Sequence, residues 1–151
     1  MTVIDKIDLK ELYEIDDHLW LEKTINLLKE QKFNDLDLEN LIEELESLAR
    51  RDKLAIKSLL QQIIRHLLLI QYWESERERN YPHWQSEIIS FRIQINDQMT
   101  KNFYNYLEDN INKIYQDARK YVKAKSRLDT FPLECPYILT QLLDEDWFPS
   151  T

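Results

Sequence analysis

Not one glycine occurs in this chain of 151 residues, and the first proline stands at position 82. Glycine normally supplies tight turns, helix C-caps and close approach of backbone to phosphate. A chain without it is poorly suited to hairpin-rich sheets and phosphate-cradling loops. It is well suited to helices joined by short polar connectors.

The apolar content supports a packed core. Hydrophobic residues make up 43% of the chain and charged residues 32%, with four Trp, eight Tyr and five Phe among them. Large rings of this kind offset the entropy lost on ordering, so a folded chain is expected, as a single all-helical domain over residues 1–151. The net charge of −8 repels nucleic acid and anionic lipid at long range. Cys135 is the single cysteine, so no internal disulfide can form, as suits a reducing compartment. Residues 1–10 alternate apolar and charged side chains without a signal-like core, and the most apolar run, Leu67 to Ile70, is far short of a membrane span. A cytoplasmic protein with no membrane partner and no cofactor is expected.

Periodicity divides the chain. Leu12, Ile15, Leu19, Ile25 and Leu28 recur at helical intervals up to Lys29, with Asp16 or Asp17 as cap of the main helix, or an earlier start near Asp8 as the alternative. Phe33, in the connector Gln31 to Leu36 that follows, is expected to tuck onto the core. Asp37 reads as the N-cap of a long second helix reaching Trp73, with Glu39 at the positive end of its dipole. Its apolar line is interrupted by Arg50-Arg51-Asp52-Lys53, where a break is the alternative to one continuous rod. Glu74 to Asn80 is charged and reads as a helix end, with Pro82 in the first turn of the next helix and Asn80 or Tyr81 as cap. That helix carries Trp84, Ile88, Phe91, Ile95 and Met99, and a connector is expected within 96–102. A further helix holds Phe103, Leu107, Ile111, Ile114 and Ala118. Residues 127–136 read as a loop, Tyr137 to Leu143 as a short helix with Pro136 in its first turn, and Trp147 and Phe148 mark a docked tail. The expected architecture is all-α: a bundle of four principal helices, a long second helix, and a short C-terminal one.

Three passages carry a resemblance. Leu36 to Leu48 (LDLENLIEELESL), Ile64 to Trp73 (IRHLLLIQYW) and Phe131 to Pro149 (FPLECPYILTQLLDEDWFP) resemble, in order and spacing, the bacterial family known as domain of unknown function 29. The resemblance covers about 16–149. It implies an all-helical fold and brings no catalytic residues with it. Family members commonly place glycine where Ala49 or Arg50 stands here, and another before Phe131. The absence of the first makes a continuous second helix more plausible, with a break near Arg50 to Lys53 still the alternative.

Side chains that could carry chemistry are sparse. Di-metal bundles use inward Glu together with Glu-x-x-His pairs, and no such pair occurs. His18, His66 and His83 could form an open metal site only by converging from separate helices. His66 stands among apolar neighbours, where a hydrogen-bonded structural histidine is expected. Cys135, between Glu134 and Pro136, has no activating cation beside it and reads as a packed thiol. Between 113 and 127 a basic face gathers Lys113, Arg119, Lys120, Lys123 and Arg127, suited to phosphates or an acidic partner. The opposite charge crowds Asp35 to Glu46, with six carboxylates and no cation.

These features lead to one expectation and two alternatives. The chain is expected to be a non-catalytic protein-interaction or assembly module, by self-association as a homodimer or with another protein. The alternatives are a nucleic-acid-associated protein using the basic helix, and a metal-dependent enzyme built on the three histidines. Asp37, His66, Pro136 and Tyr137 are expected to serve the fold, not a reaction.

Overall fold

The structure, a computed structural model, describes residues 8–151. It contains six α-helices and, among the described residues, no strand: α1 (Leu9–Ile15), α2 (Asp17–Lys29), α3 (Leu38–Tyr72), α4 (Glu74–Asp97), α5 (Lys101–Ser126) and α6 (Leu139–Leu143). The chain forms two compact units, one ending at Arg51 and the other spanning Asp52–Thr151.

In the first unit the expected opening helix is two helices, because Asp16 turns the chain between them. Its backbone is non-helical, and its carboxylate accepts the Leu19 N–H at 3.0 Å, so it caps α2. After α2 the chain makes the hydrogen bonds of a Schellman turn. Gln31 donates to the Leu28 carbonyl, and Lys32 to that of Leu27. That turn needs a left-handed residue, and with no glycine available Gln31 takes it at φ 59°. The same substitution ends α5, where Arg127 sits at φ 62°, ψ 20°. A residue with a Cβ holds this conformation at a cost of about 1 kcal/mol. A single 3₁₀ turn, Phe33–Asp35, joins α2 to α3, and Phe33 is exposed on it, not tucked onto the core as expected.

Helix α3 is continuous through Arg50 to Lys53, 35 residues in one rod. No residue there lacks an N–H or breaks helical geometry, so a local loss of apolar character does not stop the ladder. The charged run after it is a correction to the sequence reading. Glu74 to Asn80 does not end a helix; it is the beginning of α4, and one residue, Trp73, at φ −96°, ψ 71°, separates the two helices. Arg77 makes so short a junction stable. Its Nε donates to the Ile70 carbonyl at 2.6 Å and an Nη to that of Gln71 at 2.8 Å, satisfying acceptors that the end of α3 leaves open. Pro82 is accordingly inside α4, not in its first turn. It has no N–H for the carbonyl one turn earlier, a defect tolerated because Pro82 is exposed. Gln98 to Thr100 form the next connector, and Thr100 caps α5 by accepting the Phe103 N–H at 3.1 Å. The short C-terminal helix also begins later than expected, at Leu139. Pro136 and Tyr137 precede it in extended chain.

The second unit holds the large core. Ile56, Leu60, Ile63, Ile64, Leu67, Leu68 and Ile70 from α3 are fully buried, against Trp84, Ile88 and Ile95 of α4 and Leu107, Ile114 and Val122 of α5. Phe131, Tyr137, Leu139 and Leu142 close the same core, and Trp147 and Phe148 pack against it, so the tail is docked.

Candidate functional site

The site residues read from the sequence fall in three places. On α5, Lys113 pairs with Asp117 at 2.9 Å, one turn along the same helix. Arg119 and Lys123 both turn to Asp129 in the following loop, at 4.0 and 3.0 Å, and Arg119 Nε also donates to the Phe131 carbonyl at 3.4 Å. The paired cations hold the Asp117 and Asp129 carboxyls below their ordinary pKa. Lys120 and Arg127 remain exposed. Gln116, Arg119, Lys120 and Lys123 line a shallow depression of about 350 Å³. Much of the basic face therefore answers carboxylates of its own chain.

The histidines are dispersed over three helices. His18 is exposed on α2, 3.4 Å from Glu22. His83 is exposed on α4. His66, on α3, directs Nδ1 to the Gln62 carbonyl at 2.7 Å and lies against the Phe91 ring at 5.5 Å. Burial disfavours its cation and lowers its pKa. Among the described residues, no group of three or more His, Cys, Asp or Glu is placed to hold a metal ion. Cys135 gives its Sγ–H to the Tyr137 carbonyl at 3.3 Å, and burial raises its pKa, the environment of a packed thiol and not of a nucleophile.

The residues expected to serve the fold make specific contacts. Asp37 is buried at the start of α3. One carboxylate oxygen accepts the Asn40 N–H at 3.5 Å, and the other takes the Asn40 amide at 2.6 Å and the Trp20 indole N–H at 3.3 Å. The cap thus also fastens α2 to α3 inside the first unit. Nearby, the Tyr13 hydroxyl donates to Glu44, which raises the Tyr13 pKa to about 12. Tyr137 is buried in the second unit, donates to Gln71 Oε1 at 2.9 Å, and meets Trp147 edge-on. Pro136 is exposed and lies just before it.

Sequence reasoning passed over the most constrained polar group, Arg92. It is fully buried on α4, and its guanidinium donates to three backbone carbonyls: Leu142 at 2.8 Å, Trp147 at 2.6 Å and Gln141 at 3.1 Å. The Phe148 ring lies 5.1 Å away, and Asn96 adds a bond to the Leu143 carbonyl. Burial pulls the Arg92 pKa down to about 10, which still leaves it charged at neutral pH. The available signal was spacing, because position 92 falls on the apolar line of Ile88 and Ile95. This group clamps the tail.

Exposed apolar side chains are concentrated in one place. Nine of the fifteen large apolar side chains exposed among the described residues lie in the first unit. On α3 they are Leu38, Ile42, Leu45 and Leu48, with the first three 52–57% exposed. On α2 they are Leu21, Ile25 and Leu28. In the first unit, hollows of about 340 and 140 Å³ lie around Leu9 and Asn26 and around His18 and Glu44. In the second unit an open hollow of about 410 Å³ is lined by Tyr72, Trp73, Glu74, Ser75, Leu128 and Thr130. None of the three gathers an acid, a base and a nucleophile at reacting distance. Among the described residues no helix is long and apolar enough to cross a membrane.

Comparison with known proteins gives a fold and no activity. None of the curated proteins matches the chain. A crystal structure of an alpha-helical protein of unknown function from Rhodospirillum rubrum is similar to it with a TM-score of 0.60, at 24% identity, covering 89% of this chain and 90% of the other. The family model described as "Domain of unknown function DUF29" matches residues 12–148, nearly the whole length. The chain belongs to the DUF29 family.

Proposed function

We propose that this chain is a non-catalytic protein-interaction module of the cytoplasm, and that the first unit carries its docking surface. The observation behind this reading is the apolar line on α3. Leu38, Ile42 and Leu45 follow one another at helical spacing, and each stays more than half exposed. Ordered apolar lines open to water cost free energy, and such surfaces in soluble proteins are characteristic of interaction sites. The basic face of α5 fits a nucleic-acid role less well, because Lys113, Arg119 and Lys123 each lie beside a carboxylate of the same chain.

The test compares the natural chain with a Leu38→Asp/Leu45→Asp variant as bait in native lysate, after a thermal melt has checked that both are folded. Partners held by the natural chain and lost by the variant are expected. Identical sets from both baits would refute the assignment of the surface.

A further inference from the structure

The α3 surface has a register and a charge, and together they specify its occupant. Leu38, Ile42, Leu45 and Ala49 follow one another at intervals of four, three and four residues, the alternation of a coiled-coil seam. Glu39 and Glu46 stand next to Leu38 and Leu45 along one edge of that seam, and Glu43 lies beyond them on the same side. All three are exposed. Their contacts within the chain are weak. Glu39 meets Lys10 at 3.5 Å and Glu46 meets Arg50 at 3.9 Å, both between largely exposed side chains. The sign holds up to Ser47, after which Arg50 and Lys53 continue the same edge. Residues 1–51 hold 14 acidic and 7 basic side chains, a net of −7 within a whole-chain charge of −8.

A second copy of this chain is a poor match for such an edge. Packed antiparallel over Leu38 to Ala49, the edge meets itself, and Glu39 of one copy faces Glu46 of the other; a shift that sets Arg50 and Lys53 against them runs the seam onto Asp52 and the buried Ile56. Packed parallel, it faces the side bearing Leu41 and Leu48, which offers no cation. Like charges on facing helices oppose association, and opposite charges choose the partner.

Resting on the docking reading above, we infer that the occupant is a basic amphipathic helix of another protein. It lays an apolar stripe along Leu38, Ile42 and Leu45 and places Lys or Arg against Glu39 and Glu46. The apolar stripe supplies most of the affinity, and the carboxylates set choice and orientation.

The test uses synthetic three-heptad helices with leucine along the seam and flanks that are all lysine or all glutamate, plus a scrambled version of the lysine peptide. Binding to the full chain is read by fluorescence anisotropy at low salt. The lysine-flanked helix is expected to bind about tenfold more tightly than the glutamate-flanked one, and more tightly than its scrambled form. Glu39→Lys/Glu46→Lys, two exposed changes that leave the core untouched, is expected to reverse the preference, and Ile42→Asp to abolish binding. Equal affinity for the two flanks, or for the scrambled peptide, would overturn the inferred occupant. So would a dimer in light scattering that Ile42→Asp dissociates, although that result would keep the docking surface. Binding of neither helix, together with a monomer at all concentrations, would overturn the occupant and the docking reading alike.

Discussion

Arg92→Met tests whether the C-terminal segment is held by the buried guanidinium or only by its apolar side chains. The substitution keeps a long stem in the core and removes the donors to the Gln141, Leu142 and Trp147 carbonyls. At about 1 to 1.5 kcal/mol net for each bond, the loss is about 3 to 4.5 kcal/mol. Relief from burying a cation offsets part of this, and the lowering of the Arg92 pKa to about 10 shows that burial has a cost. A net destabilisation of about 2 to 3 kcal/mol follows, or a Tm lower by about 4 to 12 °C for a chain of this size. Urea denaturation at pH 7 measures the first quantity and calorimetry the second. Limited proteolysis should show new cleavage within 139–151, because Trp147 and Phe148 lose the clamp that holds their backbone. Arg92→Lys separates charge from geometry: a single ammonium cannot serve three carbonyls spread over a planar fork. A methionine variant within 0.5 kcal/mol of the natural protein, or a lysine variant indistinguishable from it, would refute the clamp.

Three further outcomes are expected. Asp37→Ala should cost about 2 kcal/mol in chemical denaturation, because it removes the α3 cap and leaves the buried Trp20 indole N–H without an acceptor, and Asp37→Asn should recover part of the loss. Gln31→Gly should leave thermal stability unchanged or raise it by up to about 1 kcal/mol, since only the side chain opposes the left-handed turn, whereas Gly→Ala substitutions at such positions usually destabilise. For His66 the folded pKa lies below the ordinary value, so the unfolded chain binds the extra proton first. Its contribution is intact above pH ~6.5 and is lost as pH falls from there through the lowered folded pKa, and His66→Gln should flatten the stability profile over that interval.

Much of the fold is legible along the chain. The apolar lines that mark α3 and α5 are long and strongly periodic, and such lines survive any arrangement of neighbours. The sequence leaves open whether helix 37–73 is continuous or broken near 50–53, and the structure shows one continuous rod. The junction at Trp73 was not legible. A turn of a single residue carries no proline or glycine, and the arginine that completes it, Arg77, looks in sequence like any solvated charge. Pro82 misled for a related reason: proline usually opens helices, yet an exposed position tolerates it inside one.

The candidate surface divides in the same way. Leu38, Ile42 and Leu45 read in sequence as half of a core line, identical in pattern to Ile56, Leu60 and Ile63. The pattern tells only that a residue belongs to an apolar face; neighbours decide whether anything covers that face. Here the later set is fully buried and the earlier one stays open to water. Arg92 is the inverse case, a charge on an apolar line that three distant carbonyls make acceptable. Helix content, the long rod and the absence of glycine turns follow from local chemistry, because backbone propensity and periodicity act over a few residues. Which apolar face is covered, which cation is neutralised by Asp117 or Asp129, and how the tail is clamped follow from contacts between segments far apart in sequence, and only the tertiary structure decides those.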